Sequence, residues 1–255
     1  MLNEWTMDRW KYFDITHRDH ILCNPTTVEK LDELIGLLRL ERGASVLDIA
    51  CGKAEMLVRM AEAYGVTGVG IDKSPFAISD AEAKRDERVP DAEIEFIVGD
   101  GADYRAASPE SFDLAACIGA SWVFDDHRGT LRALTAMVKP GGLVMVGEPF
   151  WINDPQPEHL VAEGQDGPFF STHDGNVQIG EEEGLTLLYT IVSNQHDWDR
   201  YEGLQWRAAA EYARDRPDDP DLPEVLARVA KGRDIYLKWG RRDFGWAIYL
   251  FQKPG

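Results

Sequence analysis

Three aspartates stand in the first half of the chain, each at the end of a short apolar run. Asp48 lies in VLDIACGKAE, Asp72 in GVGIDKSP and Asp100 in IEFIVGD. A carboxylate can accept two hydrogen bonds side by side, which suits ribose hydroxyls at Asp72 and the exocyclic amine of adenine at Asp100. Small residues after Asp48 let the backbone approach a ligand closely before a helix begins. The spacing therefore predicts a site for a nucleoside.

The elements that position these acids follow a regular alternation. Between residues 44 and 151, apolar runs alternate with amphipathic stretches, as in repeated strand-helix-strand units with a parallel sheet. Strands are predicted at 44–50, 67–73, 94–100, 112–119 and 142–150, with crossover helices at 54–65, 76–88 and 127–138. Ligands bind at the carboxyl ends of such strands. We expect an α/β fold, a Rossmann-like, doubly wound and mostly parallel sheet of seven strands with the last strand antiparallel.

The rest of the chain is expected to complete one domain over residues 1–255. Residues 1–43 form an N-terminal cap, with a helix from the Thr26-Thr27 pair to about Leu40, and 44–151 form the cofactor-binding core. The segments 152–184 and 199–240 are predicted lid insertions, the first a long loop and the second two helices. The ranges 185–198 and 241–255 hold the last two strands. Both insertions would cover the carboxyl ends of the strands and enclose a pocket for a small molecule.

Composition limits the partners. The 255 residues include 45 Asp and Glu against 27 Lys and Arg, a net charge of −18. Without a basic face, neither nucleic acid nor an anionic membrane is an expected partner, and a cationic or neutral small molecule fits better. Three scattered cysteines predict no disulfide framework and no metal site. With no signal peptide or membrane span in the sequence, a cytoplasmic location is expected.

This arrangement resembles the class I S-adenosylmethionine-dependent methyltransferases. Their glycine-rich first motif matches Asp48 to Ala54, their ribose-binding acid matches Asp72, and their adenine-contacting acid matches Asp100. Ala50 and Ala54 stand where the family often has glycine, so we expect a tighter loop that retains cofactor binding. The resemblance implies S-adenosyl-L-methionine as cofactor and methyl transfer to a small-molecule acceptor by in-line displacement. The contacts it implies are Asp48, Ala50, Cys51, Gly52, Ala54, Asp72, Lys73, Asp100, Gly101, Ala102, Cys117 and Gly119.

The whole chain is also similar to a group of bacterial small-molecule methyltransferases, through blocks such as HRDHILCNP (17–25) and RDFGWAIY (242–249). An NAD-type oxidoreductase is an alternative, but its Gly-x-Gly-x-x-Gly motif would place the charged Glu55 where a helix must pack closely. A binding protein that holds S-adenosylmethionine without catalysis is another. An alternative role for Asp48 and Asp72 is to cap the helices that follow them. For Cys51 and Cys117, the alternative to cofactor contact is packing in the core.

Candidate catalytic and substrate residues are chosen by location. Glu148 ends the fifth predicted strand, and His20 lies in the segment expected to fold over the cofactor, so both are candidate bases. A base is needed only when the acceptor carries a proton. For both side chains, a purely structural role is the alternative. Aromatic residues in the covering segments are candidates for stacking on the acceptor or for ordinary packing. They are Tyr12, Phe13, Phe150, Trp151, Trp198, Tyr201 and Trp206. Trp122, after the fourth predicted strand, is a candidate for contact with adenine or the substrate, with packing as the alternative. The sequence alone names neither the acceptor atom nor an oligomeric state.

Overall fold

Seven strands form one sheet in the computed structural model, which describes residues 5–106 and 108–255. Residues 1–4 and 107, which fall in the predicted cap and core, lie outside the described residues. The strands are β1 (Ser45–Ile49), β2 (Thr67–Asp72), β3 (Ile94–Val98), β4 (Phe112–Ile118), β5 (Val138–Trp151), β6 (Thr186–Ser193) and β7 (Phe244–Gln252). Their order is β3-β2-β1-β4-β5-β7-β6, and only β7 runs antiparallel to both of its neighbours. The predicted fold class is confirmed.

Helices cover both faces of the sheet and one end. They are α1 (Arg9–His17), α2 (Val28–Leu38), α3 (Glu55–Tyr64), α4 (Pro75–Arg88), α5 (His127–Met137), α6 (Pro157–Glu163), α7 (His173–Glu182), α8 (Gln195–Asp215) and α9 (Leu222–Ile235). One apolar cluster joins α2, α3 and α4 to one sheet face, and a second joins α5 and α7 to the other. A third, smaller cluster joins α1, α8 and α9. None of the described helices has the length and apolarity to cross a membrane.

Local sequence explains the elements beside the site. In α2, Leu31, Leu34, Ile35 and Leu38 are buried on one face at helical spacing, and the Thr27 hydroxyl caps the helix by accepting a hydrogen bond from the Lys30 amide. The α4 helix begins with Ser74 as cap and a proline at its first position. Since β1 is covered on both faces, Val46, Leu47 and Ile49 are fully buried. These contacts hold the carboxyl ends of β1 and β2 in place.

The prediction of a long loop over 152–184 is wrong, because α6 and α7 form there. The α7 helix packs on the sheet beside α5, so it is a crossover helix and not a lid. Its contact with the sheet includes the small Gly180, which lies under the Phe251 ring, where an added Cβ would come 2.3 Å from a ring carbon. A helix that packs through glycine and through the buried Asn176 shows little apolar periodicity in its sequence.

Two other boundaries differ from the prediction. The α8 helix begins at Gln195, inside the range predicted for a strand and its connection. Asn194 caps it and Asp197 completes a reciprocal capping box. The β5 strand begins at Val138, where a helix end and turn were predicted, and Gly141 has a φ of 75° within that strand.

Candidate active site

The connection from β1 to α3 is a tight left-handed turn. Ala50, Gly52 and Ala54 have φ angles of 56°, 54° and 53°. Glycine adopts this region freely, whereas alanine pays roughly 1–2 kcal/mol because of its Cβ. The Cys51 amide donates to the carbonyl of Ile71 in β2 (3.0 Å), and the Ala54 amide donates to the Cys51 carbonyl (2.9 Å). The two alanines therefore keep the backbone conformation that glycine would adopt.

Asp48 lies at the end of β1 beneath this turn. Its side chain is 3% exposed and receives no hydrogen bond from the described residues. Burial, reinforced by the negative charge of Asp72, raises the pKa of Asp48 from 3.8 to about 8. Since α3 has no side-chain cap, the alternative that Asp48 caps this helix is not what the structure shows. A buried carboxylate without a partner is costly, so this position favours a cationic ligand group.

Asp72 ends β2 and bridges the two adjoining turns. One carboxylate oxygen accepts from the Gly52 amide (2.9 Å) and the other from the Ser74 amide (2.8 Å). Burial raises the pKa of Asp72, although these hydrogen bonds partly offset the shift. Ser74, and not Asp72, caps α4. Each oxygen keeps a second lone pair, so the carboxylate can accept further hydrogen bonds from a ligand.

Asp100 follows β3 and is more accessible. It forms an ion pair with Lys73 (2.5 Å) and accepts from the Ala102 amide (3.1 Å), capping the short 3₁₀ helix Gly101–Asp103. The hydrogen bond from Lys73, with that from Ala102, lowers the pKa of Asp100, so it is ionised at neutral pH. A capping role and a ligand contact are compatible here, because a carboxylate has four acceptor positions.

Two adjoining cavities open at these strand ends. The larger measures about 290 Å³ and the smaller about 60 Å³; Cys23, Ala50, Gly52 and Ile118 line both. From the predicted cofactor set, the larger is lined by Ala50, Gly52, Asp72, Lys73, Asp100, Gly101 and Gly119, and the smaller by Asp48, Ala50, Cys51, Gly52 and Ala54. The remaining two lie elsewhere: Ala102 donates its amide to Asp100, and Cys117 is fully buried in the core beside α5.

The far wall of the larger cavity follows β4. Gly119 has a φ of 82°, and an added Cβ would lie 2.8 Å from the indole of Trp246, so this position requires glycine. Trp122 lines the same wall and is 56% exposed. The guanidinium of Arg9 lies 5.8 Å from the centre of its ring. Trp122 is therefore accessible at this wall of the cavity.

Neither candidate base is among the residues that line these cavities. Glu148 is buried and accepts from the Ser121 hydroxyl (2.9 Å); burial raises its pKa to about 7. His20 is buried in the cap with one ring nitrogen 2.9 Å from the Tyr201 carbonyl, and burial lowers its pKa. Each side chain instead contacts a polar group outside the residues that line the cavities, the Ser121 hydroxyl for Glu148 and the Tyr201 carbonyl for His20.

Four of the predicted substrate aromatics also pack against other side chains away from these cavities. Trp151 stacks on Phe244 with ring centres 4.3 Å apart, and Phe150 lies over Gly245, where an added Cβ would come 2.2 Å from its ring. The Tyr201 hydroxyl lies 2.9 Å from a ring nitrogen of His17. Trp198 packs near Tyr201 and Tyr236. None of the four lines the larger or the smaller cavity, which corrects their assignment to the substrate site.

The N-terminal cap and α9 contribute side chains that the sequence analysis did not identify. Arg9, Trp10, Cys23 and Arg228 line the larger cavity beside Tyr12 and Phe13, which were expected there. Of these segments, only α1 has a sequence feature that indicates a role in the cavity, the run RWKYF of consecutive large side chains. Arg228 lies on α9 between buried positions and has no sequence feature that separates it from a surface arginine.

Comparison with known proteins places this geometry in a family. A methyltransferase domain family matches residues 46–142. The uncharacterized protein YjhP of Escherichia coli is 33% identical over 248 residues, which are 95% of this chain and 98% of that protein. A methyltransferase from Geobacter sulfurreducens, solved with S-adenosylhomocysteine, is 30% identical with a TM-score of 0.89, covering 96% of this chain and 99% of that one. The chain belongs to the S-adenosylmethionine-dependent methyltransferases.

A second solved relative of this methyltransferase has the same overall structure. The enzyme from Thiobacillus denitrificans, also in complex with S-adenosylhomocysteine, is 32% identical with a TM-score of 0.87 and covers 97% of this chain and 99% of that one. Because the chain belongs to this family, the methyltransferase assignment is preferred to the alternative of an NAD-type oxidoreductase. In this methyltransferase the charged Glu55 lies within 2.8 Å of Arg59, Lys84 and Arg88, so it is part of an ion-pair cluster that joins α3 to α4.

Proposed function

We propose that this methyltransferase transfers a methyl group from S-adenosyl-L-methionine to a small-molecule acceptor by in-line displacement. The observation that carries the proposal is the convergence of three carboxylates, from the ends of β1, β2 and β3, on two cavities that share lining residues. When bound, the cofactor would supply a methyl group attached to a cationic sulfur. The acceptor atom would use its own electron pair to bond the methyl carbon, and the electrons of the broken carbon–sulfur bond would stay on the sulfur of S-adenosylhomocysteine. The protein's part is to hold the reactants in line.

The residues present fit this cofactor. The partnerless carboxylate of Asp48 in the smaller cavity suits the ammonium of the methionine portion, because a cation would compensate its buried charge. The left-handed turn from Ala50 to Ala54 lets backbone amides approach the ligand. In the larger cavity, Asp72 would accept from the ribose hydroxyls and Asp100 from the adenine amine. Gly119 would leave room on the β4 side.

Catalysis in this proposal rests on alignment. Among the described residues that line the larger cavity, the only carboxylates are Asp72 and Asp100, and no histidine is present. We therefore assign Glu148 a positioning role: through Ser121 it holds the segment that carries Gly119 and Trp122. His20 would similarly hold α8 against the cap through the Tyr201 carbonyl. An acceptor that carries a proton would release it to solvent.

Calorimetry with S-adenosylmethionine, S-adenosylhomocysteine and NAD tests the cofactor. We expect saturable binding of both sulfur compounds and none of NAD. Asp72→Ala should weaken their binding by about 1–3 kcal/mol, since polar partners lose their acceptor. Asp91→Ala, at an exposed acid before β3, is the matched control and should leave binding unchanged. Binding of NAD alone would overturn the proposal.

Transfer itself is tested with a labelled methyl donor and a fractionated metabolite extract. We expect label in at least one small-molecule product, and loss of that label with Asp72→Ala at limiting donor concentration. If the protein binds S-adenosylhomocysteine but labels nothing, the alternative of a non-catalytic binding protein replaces this proposal.

A further inference from the structure

The cap side of the larger cavity carries positive charge, in a chain whose net charge is −18. Resting on the function proposed above, we propose that the acceptor carries a carboxylate or phosphate group and that Arg228 binds this anion, while the methyl group goes to another atom of the same molecule. Arg228 lies on α9 and lines the cavity together with Tyr12 and Phe13 of α1.

The guanidinium of Arg228 is held in an orientation suited to an anion. Its central carbon lies 3.7 Å from the centre of the Tyr12 ring, and its side chain is only 18% exposed. A guanidinium stacked on an aromatic face keeps the N–H groups along its edge free for a bidentate contact, which carboxylate and phosphate oxygens match. The stacking also fixes the side chain before the ligand arrives.

Among the described residues, the ion pair that Arg228 forms is a long one, to Glu224. Glu224 lies 3.8 Å from Arg228, beyond hydrogen-bond distance. Its oxygens instead accept from the backbone amides of Thr6 and Met7 and from the Thr6 hydroxyl, at 2.9–3.1 Å. By contrast, Arg242 makes two short contacts, 2.7 and 2.9 Å, to Asp243. Within the described residues, Arg228 has no such partner.

The other two cations that line this cavity, Lys73 and Arg9, interact with the cavity's own acids. Lys73 is paired with Asp100 at 2.5 Å. Arg9 lies close enough to Asp72 for its charge to favour the ionised form of that carboxylate. Lys73 is thus ion-paired with an acid of the predicted cofactor site, whereas Arg9 interacts with Asp72 only through its charge. In the part of the chain that the structure describes, Arg228 has only the long ion pair to Glu224, which leaves its N–H groups without a hydrogen-bonded carboxylate and available for the acceptor.

The net charge of the chain favours a cationic or neutral ligand, but it averages over the whole surface. Charges at distances beyond about 10 Å are largely screened by salt, whereas a half-buried guanidinium acts at contact distance. The local geometry therefore outweighs the net charge in selecting the acceptor.

The test uses the full-length protein with a labelled methyl donor and a metabolite extract, and separates the labelled products by anion exchange at neutral pH. We expect the labelled product to be retained as an anion. Treatment with alkaline phosphatase distinguishes the two sources: release from the resin identifies a phosphate, and unchanged retention identifies a carboxylate. A labelled product that contains neither a carboxylate nor a phosphate group would overturn the proposal.

Variants assign the contact to Arg228. Arg228→Ala should raise the extract concentration needed for half-maximal labelling about ten- to hundred-fold, the usual effect of losing a charged hydrogen-bond pair. Arg228→Lys keeps the charge and should recover part of this loss. Arg233→Ala, at an exposed residue of the same helix, is the matched control and should change nothing. Thermal unfolding verifies that each variant folds.

Calorimetry with S-adenosylhomocysteine separates this proposal from the proposed function. We expect Arg228→Ala to bind S-adenosylhomocysteine as tightly as the parent protein. Weaker binding would assign Arg228 to the cofactor, and unchanged labelling by Arg228→Ala would remove it from the acceptor site; either result overturns the inference. If the parent protein labels no product at all, the methyl-transfer function fails, and this inference fails with it.

Discussion

Replacing Asp48 by asparagine should change stability and cofactor affinity in opposite directions. The folded state raises the pKa of Asp48 from 3.8 to about 8, so the unfolded chain ionises first as pH rises. Each pH unit above 3.8 then costs the folded state about 1.4 kcal/mol, until the folded group ionises near pH 8. At pH 7 the cost reaches about 4 kcal/mol as an upper value, and asparagine removes it.

The partly unsatisfied asparagine amide offsets some of this gain. We therefore expect the free energy of unfolding of ligand-free Asp48→Asn at pH 7 to exceed that of the parent protein by about 1–4 kcal/mol. The difference should shrink as pH falls toward 4, where the carboxyl group is protonated in both states. Urea unfolding followed by circular dichroism between pH 4 and pH 8 measures it, with Asp91→Asn as the exposed control.

The same substitution should weaken S-adenosylhomocysteine binding about ten- to hundred-fold, since the ligand ammonium loses its ionic partner. In the parent protein, affinity should rise between pH 6.5 and pH 8 as Asp48 ionises, and binding at pH 7 should release a proton. Calorimetry in buffers of different ionisation enthalpy detects that proton, which Asp48→Asn should not release. A destabilised ligand-free variant, or one with unchanged affinity, would refute this account of Asp48.

Two further predictions concern the structure around the site. Burial alone would raise the pKa of Glu55, but hydrogen bonds from Lys84 and Arg88 lower it to about 2, so its stabilising effect is present above pH 4.5 and lost as pH falls toward 2. Glu55→Gln should lower the free energy of unfolding at pH 7 by about 3 kcal/mol, measured by urea unfolding. Asp32→Asn, at an exposed carboxylate of the same ion-pair cluster, is the control and should lower it by under about 1 kcal/mol. Equal losses would contradict the claim that Glu55 stabilises the fold as a buried ion-pair partner. In the same assay, Gly119→Ala should lower the free energy of unfolding by about 1–3 kcal/mol. Gly203→Ala, on α8 with no atom near the added Cβ, should raise it slightly. An unchanged free energy of unfolding for Gly119→Ala would show that the turn tolerates a side chain.

The sequence predicted the sheet and its acidic edge because both depend on local pattern. Each of Asp48, Asp72 and Asp100 lies at or just beyond the carboxyl end of an apolar strand, and parallel strands bring these ends to one edge. The motif also indicated that Ala50 and Ala54 occupy the turn in place of glycine, since alanine is the smallest residue that can replace glycine there. These inferences need no knowledge of how distant segments pack.

The acceptor side could not be predicted in the same way. Residues of β5 alternate between the two faces of the sheet, and nothing in the sequence shows that Glu148 turns toward Ser121. Aromatic residues in α8 were assigned to the pocket, but Tyr201 packs into the cap, because the contact between α1 and α8 involves segments far apart in sequence. Arg228 reaches the cavity for the same reason, through the packing of α9 on α1.

A crystal structure of the protein with S-adenosylhomocysteine tests the central claim most directly. The account predicts the ribose hydroxyls within hydrogen-bond distance of Asp72, the adenine amine at Asp100 and the ammonium in the smaller cavity beside Asp48. A nucleoside bound elsewhere, or one in this cavity that makes no contact with these three carboxylates, would contradict it.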